Sequence, residues 1–224
     1  MDNKSEARIS LVISVGALIL FAALTFSVLT LYVRPIGPGG SEIGLSGLNE
    51  YMLGIQNSIP DNIQRIFYQI SETVGVVSIA VMFGFAVWGV VQLITRRSFK
   101  KIDLNLYFLA GLYAVMLVFY VFFEIVVINY RPIFVENALE ASYPSSHTVL
   151  TLCVMISGAY VLCAKIKNRL GRVVLNVSAF VLAAVTVAGR FVSCVHWFTD
   201  IIGALFLSCA LISLFLWACR RFSR

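Results

Sequence analysis

The chain has 224 residues, of which 60% are hydrophobic and only 12% charged, with a mean hydropathy of +0.92. A soluble domain carries about 25% charged residues, so this composition excludes an ordinary cytosolic globule, a disordered chain and a nucleic-acid-binding domain. It is that of an all-α, polytopic membrane protein, in which the net charge of +6 must be read by position.

Backbone polar groups in hydrocarbon must be satisfied internally, so each long apolar run is read as a helix. Six such runs follow one another: Ile9–Val33, Thr73–Thr95, Leu104–Tyr130, Thr148–Ala164, Val173–Gly189 and Ile201–Cys219. The first is too long for the apolar region of a signal peptide, so it is expected to remain as a span. Residues 34–65 form a loop between the first two. Within it Leu45, Leu48, Met52, Ile55 and Ile59 recur at spacings of three and four, the seam of an amphipathic helix over Ser41–Ile59. That helix is expected to lie on the membrane surface or to cover the bundle. Cys153, Cys163, Cys194, Cys209 and Cys219 show no metal-ligand or disulfide spacing and read as small buried hydrophobes. No internal repeat or low-complexity stretch interrupts the plan, and residues 1–224 are read as one six-helix domain.

The basic residues are unevenly divided. Lys4, Arg8, Arg96, Arg97, Lys100, Lys101, Lys165, Lys167, Arg169, Arg172, Arg220, Arg221 and Arg224 all fall at the termini or on alternate connections, thirteen of the 17. By the positive-inside rule that side is cytoplasmic, with both termini inside, as six spans require. All five prolines, Pro35, Pro38, Pro60, Pro132 and Pro144, fall on the other connections. The four remaining cations, Arg34, Arg65, Arg131 and Arg190, lie on or near the outer face, against the bias.

Both histidines of the chain stand on that same face. His147 closes Pro144-Ser145-Ser146-His147 at the start of the fourth run, and His196 lies four residues before Asp200, between the fifth and sixth. Alternation of spans alone therefore brings Arg131, His147, Arg190, His196 and Asp200 together. Two guanidinium forks suit phosphate oxygens. A helix opening Pro-Ser-Ser-His offers free N–H groups and hydroxyls to an anion. An imidazole held by a carboxylate can serve as nucleophile or base, and a second imidazole can protonate a leaving oxygen. Together these residues suit phosphoryl transfer through a phosphohistidine.

These residues resemble the type 2 phosphatidic acid phosphatase family, within the lipid phosphatase and vanadium haloperoxidase superfamily. Its motifs are K-x6-R-P, P-S-G-H and S-R-x5-H-x3-D. Arg131-Pro132 matches the end of the first; Pro144-Ser145-Ser146-His147 matches the second with Ser146 for glycine. Gly189-Arg190, His196 and Asp200 match the third, with Gly189 for serine. The resemblance implies a membrane lipid phosphatase without a metal cofactor. In it His196 attacks phosphorus, Asp200 orients His196, and His147 protonates the leaving group and then activates water. Arg131, Arg190, Ser145 and Ser146 hold the phosphate. The compact plan resembles bacterial enzymes of the plasma (inner) membrane. It points to a lipid phosphate or pyrophosphate as substrate: undecaprenyl pyrophosphate, phosphatidic acid or phosphatidylglycerophosphate. Two other classes fit the same residues, a lipid phosphotransferase and a non-catalytic lipid-binding or transport relative.

One departure stands out. Where the family's first motif opens with lysine, this chain has Glu124. The carboxylate could be protonated, or paired with Arg131 or Arg190, or its lost cation could be replaced by Arg65. Glu72 is the other ionisable residue expected at membrane depth, and reads first as a structural carboxylate near the interface.

Overall fold

The computed structural model describes residues 3–134 and 137–222; Arg224, counted above among the basic residues, lies outside them. Among the described residues there are seven α-helices: α1 Asn3–Thr30, α2 Ser46–Asn57, α3 Asp61–Arg96, α4 Leu104–Ile125, α5 Ser146–Cys163, α6 Arg169–Val192 and α7 Phe198–Phe222. All but α2 are long and apolar enough to cross a membrane. No strand longer than an isolated bridge occurs among the described residues.

The helices α5 and α7 form the buried centre, while α1, α3, α4 and α6 pack around them and expose their flanks. The central pair carry small residues, with Ser157, Gly158 and Ala159 on α5 and Gly203, Ala204, Ser208 and Ala210 on α7, all buried. Small side chains let backbones approach closely where lipid offers no hydrophobic drive between helices. Polar ties add direction: the Ser14 hydroxyl on α1 donates to the Ala210 carbonyl on α7 at 2.8 Å.

Two elements differ from their sequence reading. The first is α3, which begins at Asp61 rather than Thr73 and runs 36 residues, about 54 Å at 1.5 Å per residue. The polar stretch from Asp61 to Glu72 depresses hydropathy, yet it continues the same helix. The second is α4, which stops at Ile125 rather than Tyr130. From there Asn129 to Arg131 run extended and pair antiparallel with Glu140 to Ser142 through the Tyr130–Ala141 bridge.

At the opposite end of the bundle from both histidines, Asp103 joins three helices. Its carboxylate meets Arg96 of α3 at 2.9 Å and Lys165 beyond α5 at 2.8 Å, and accepts from the Gln92 amide at 3.1 Å. The Lys165, Arg96 and Gln92 bonds outweigh burial and hold the carboxyl at about 2. Arg220 of α7 pairs with Glu6 of α1 at the same end.

The short helix α2 lies within the expected segment, but it turns a polar face inward. Asn49 and Gln56 are fully buried, whereas Leu48 and Ile55 of the apolar seam are exposed. Asn49 exchanges two hydrogen bonds with Thr199, donating at 3.0 Å and accepting from its N–H at 3.2 Å. Gln56 donates to the carbonyls of Phe191 at 2.7 Å and His196 at 3.3 Å. The helix thus closes the histidine end of the bundle and fixes the turn between α6 and α7.

Asp103→Ala is expected to lower the thermal midpoint in detergent, by the equivalent of about 1–3 kcal/mol for a charge-assisted hydrogen-bond hub. Because its pKa is depressed, the wild-type contribution is complete above the ordinary carboxylate range and disappears as pH falls through about 2. A variant melting like wild type at pH 7 would contradict this role.

Candidate active site

The site is assembled from the loop before α5, the α6–α7 turn and one face of α3. Tyr143 anchors the first of these. Its buried ring stacks on Phe21 of α1 with centroids 6.0 Å apart, meets Phe123 of α4 edge-on at 5.9 Å, and its hydroxyl bonds Thr25 at 2.8 Å. Pro144 follows, and α5 begins at Ser146, leaving its first N–H groups without intrahelical partners. Ser145 is fully buried, its hydroxyl joined to Thr148 at 3.0 Å, while Ser146 lines the cavity described below.

His196 precedes α7, which starts at Phe198, so the four-residue spacing to Asp200 is not a helical one. Nδ1 of His196 lies 3.7 Å from the nearer Asp200 oxygen, beyond hydrogen-bond range, and the Ser142 hydroxyl stands between them. Ser142 donates to Asp200 Oδ2, and lies 3.2 Å from Nδ1. Having given its one proton to Asp200, this hydroxyl accepts from Nδ1–H, which leaves the lone pair of His196 on Nε2. That Nε2 is buried and has no hydrogen-bond partner among the described residues. Asp200, also buried, is fixed in turn by the Trp197 N–H at 2.9 Å and the Asn129 amide at 3.3 Å. The carboxylate therefore orients the imidazole through a relay rather than directly. Burial pushes the His196 imidazole below its usual 6.5, with Asp200 opposing in part, so it rests neutral.

The two arginines have separate carboxylate partners. Arg131 pairs with Glu140 at 3.3 Å across the extended pairing. Arg190 is fully buried and donates through Nη2 to Glu72 Oε1 at 2.5 Å, with its guanidinium 5.6 Å over the Tyr68 ring. Its Nε and Nη1 are buried and have no hydrogen-bond partner among the described residues. The other Glu72 oxygen lies 3.2 Å from Nε2 of His147. Glu72 is thus the hub between Arg190 and His147, not the peripheral carboxylate its sequence position implied.

Further contacts along α3 seat these groups. A β-carbon at Gly75 would lie 2.6 Å from Cδ2 of His147, so glycine is needed for the imidazole to rest on the helix. A β-carbon at Gly189 would lie 2.9 Å from both the Phe67 carbonyl and the Ser71 side chain. Close packing of α6 on α3 explains why this chain has glycine where the family motif has serine.

Glu124 stands apart from both arginines. It lies exposed in the last turn of α4 on the cavity wall, where it interacts with the Tyr120 hydroxyl. The pairing with Arg131 or Arg190 considered from sequence does not occur, since Glu140 and Glu72 hold those positions. Arg65 is exposed on α3, on the Glu72 side and two turns away, and makes no ion pair among the described residues. Ser142 and Gln56 escaped sequence reading altogether. Their only signal was a few polar side chains within otherwise apolar surroundings.

Both histidines open onto a cavity of about 550 Å³. Ser142, Ser146, His147 and His196 form its polar end, while Ile79, Met82, Met116, Phe119 and Phe123 form apolar walls. Met82 and Tyr113 also line a second cavity of about 420 Å³ that follows α3 and α4 towards Phe99 and Ile102. Arg190 lies within electrostatic reach of His196, and guanidinium and imidazole groups so placed suit a tetrahedral oxyanion. No group of three His, Cys, Asp or Glu side chains able to hold a metal ion occurs among the described residues.

Two outcomes test this geometry. Gly189→Ser is expected to destabilise the protein by about 1–3 kcal/mol through overpacking against α3, read as a lowered thermal midpoint; an unchanged midpoint would contradict the packing. In ¹⁵N-histidine NMR, His196 should remain neutral at pH 6.5 and gain its proton only at lower pH. A charged His196 at that pH would refute the burial reading.

Residues 125–224 match the family model described as the PAP2 superfamily. Among solved structures, the chain is similar to the first transmembrane PAP2 type phosphatidylglycerolphosphate phosphatase from Bacillus subtilis. The TM-score is 0.66 at 19% identity, covering 95% of this chain and 98% of that one, a likeness of fold. No curated protein matches the chain. The stretch that carries Arg131, His147, Arg190, His196 and Asp200 thus matches the PAP2 superfamily model, and the bundle around it shares its fold with that solved structure.

Proposed function

We propose that the chain is an integral-membrane phosphatase that hydrolyses a phosphomonoester or pyrophosphate of a membrane lipid through a phosphohistidine on His196. The observation that carries this reading is the free, relay-oriented Nε2 of His196, which lies within electrostatic reach of Arg190 on a residue that lines a largely apolar cavity. A soluble phosphate ester would not need such walls. The two cavities together follow α3 from Ile79 to Leu93, about 21 Å at 1.5 Å per residue, enough to receive an extended lipid tail.

In this reaction Nε2 of His196 attacks phosphorus as the bond to the leaving oxygen breaks, and that oxygen takes a proton from His147. Water then attacks the phosphohistidine, giving its proton to His147, and the phosphorus–nitrogen bond breaks to release phosphate and His196. Arg131 and Arg190 hold the phosphoryl oxygens with the first N–H groups of α5, in the part metal ions play elsewhere. The site faces outside, a reading supported by the cluster of Arg96, Lys165 and Arg220 at the other end of the bundle. Undecaprenyl pyrophosphate, phosphatidic acid and phosphatidylglycerophosphate all meet these requirements. The fold likeness to a phosphatidylglycerolphosphate phosphatase supports the last of them.

Purified protein in detergent is expected to release phosphate from at least one of these lipids, with chelator present. His196→Ala should abolish release, and His147→Ala should lower it by about 10²–10⁴-fold, the usual worth of a general acid–base. Full turnover by His196→Ala would refute the mechanism. Because Glu124 lies on the cavity wall and not on the arginines, Glu124→Gln should keep activity within about tenfold, the scale of one charged contact. A deeper loss would give Glu124 a direct part in the site.

A further inference from the structure

We infer that Glu72 is the positioning residue of His147: one carboxylate holds the acid–base imidazole through Nε2 and, with its other oxygen, aims Arg190. This inference rests on the phosphatase reading above and adds a residue from α3, outside the stretch 125–224 that matches the family.

Three observations carry it. The first is bridging geometry. Glu72 places one oxygen 2.5 Å from Arg190 Nη2, in a hydrogen bond, and the other 3.2 Å from His147 Nε2, in close ion-pair contact, so turning either group gives up its contact with the carboxylate. The second is what the bridge leaves free. Arg190 keeps Nε and Nη1 without partners, and His147 keeps Nδ1, so Glu72 orients both groups without consuming their remaining capacity. The third is the fit of the seat. Gly75 admits the His147 ring edge, Tyr68 lies under the Arg190 guanidinium, and Ser71 with Phe67 presses on Gly189. These residues recur every three or four positions on one face of α3, so a single helix face delivers all the contacts.

Each histidine of the site then has its own carboxylate. Asp200 acts on His196 through Ser142, and Glu72 acts on His147 directly. A carboxylate on one imidazole nitrogen stabilises the imidazolium that donates to the leaving oxygen, and fixes the tautomer that later accepts a proton from water. Glu72 touches no reacting atom in this scheme. Its effect passes through His147, and should therefore depend on how much the leaving group needs a proton.

The test compares two leaving groups in the first turnover of the full-length protein. Dioleoyl phosphatidic acid releases an alcohol that needs protonation, whereas 4-nitrophenyl phosphate releases a phenolate that does not. Glu72→Gln is expected to slow the first by about 100-fold, the lower range for general acid catalysis, and the second by less than about tenfold. Equal slowing of both would reduce Glu72 to a structural role, and no slowing would overturn the inference. If Glu72→Gln fails to fold, Gly75→Ala, which pushes His147 off its seat, should give the same split. The chain has only two histidines, which permits a readout without substrate. In ¹⁵N-histidine NMR, Glu72→Gln should shift the His147 Nε2 resonance and leave His196 in place; an unmoved His147 would refute the pairing. Wild-type inactivity on both esters would instead count against the phosphatase reading, with the NMR result still deciding the contact.

Discussion

The fully buried guanidinium of Arg190 is the group around which this fold is arranged. A cation within an apolar bundle is costly, and removing the partner of a buried ion pair typically costs about 3–5 kcal/mol. The chain meets this demand by prolonging α3 beyond the apolar run, so that Glu72 and Tyr68 reach the guanidinium. Gly189 then allows α6 to lie close enough for the bridge to form. Because Glu72 supplies only one partner, two guanidinium nitrogens stay without one. A substrate oxyanion would satisfy them, and structural and functional requirements therefore meet on the same atoms.

The remainder of the site follows a common plan, in which polar groups are held by others reached through distant contacts. Asn129 and Trp197 fix Asp200, Asp200 fixes Ser142, and Ser142 sets the tautomer of His196. From the other side, Gln56 of α2 holds the carbonyls of Phe191 and His196. Such layers keep an imidazole nitrogen aimed where pre-organisation is worth most, in a site with little water to screen it. The apolar cavities along α3 and α4 extend the polar end into the lipid-facing part of the bundle, as an amphipathic substrate requires.

Much of this was legible in the sequence, and the limits have physical reasons. Six apolar runs mark six helices because hydrocarbon leaves the backbone no other choice. Parity of crossing alone then brings Arg131, His147, Arg190, His196 and Asp200 to one end of the bundle. Glu72 was visible only as a charge at membrane depth, since its partners lie 75 and 118 residues away on α5 and α6. Ser142 and Gln56 carry no local pattern at all; their roles arise from hydrogen bonds across 58 and 140 residues. The four-residue spacing of His196 and Asp200 would put them on one helix face, but α7 starts two residues too late for that. The seam of α2 marked a helix that does cover the bundle, yet periodicity reports two faces and not which of them meets the protein, and here Asn49 and Gln56 turn inward.

The central claim is that both motif histidines, both arginines and the α3 carboxylate form one oxyanion site. A structure of the protein with orthovanadate in lipid nanodiscs tests it most directly. Vanadium should be bonded to Nε2 of His196, with Arg131 and Arg190 on its oxygens and Glu72 still against Nε2 of His147. Vanadate bound away from His196, or seated in the place of the Glu72 carboxylate, would contradict the account.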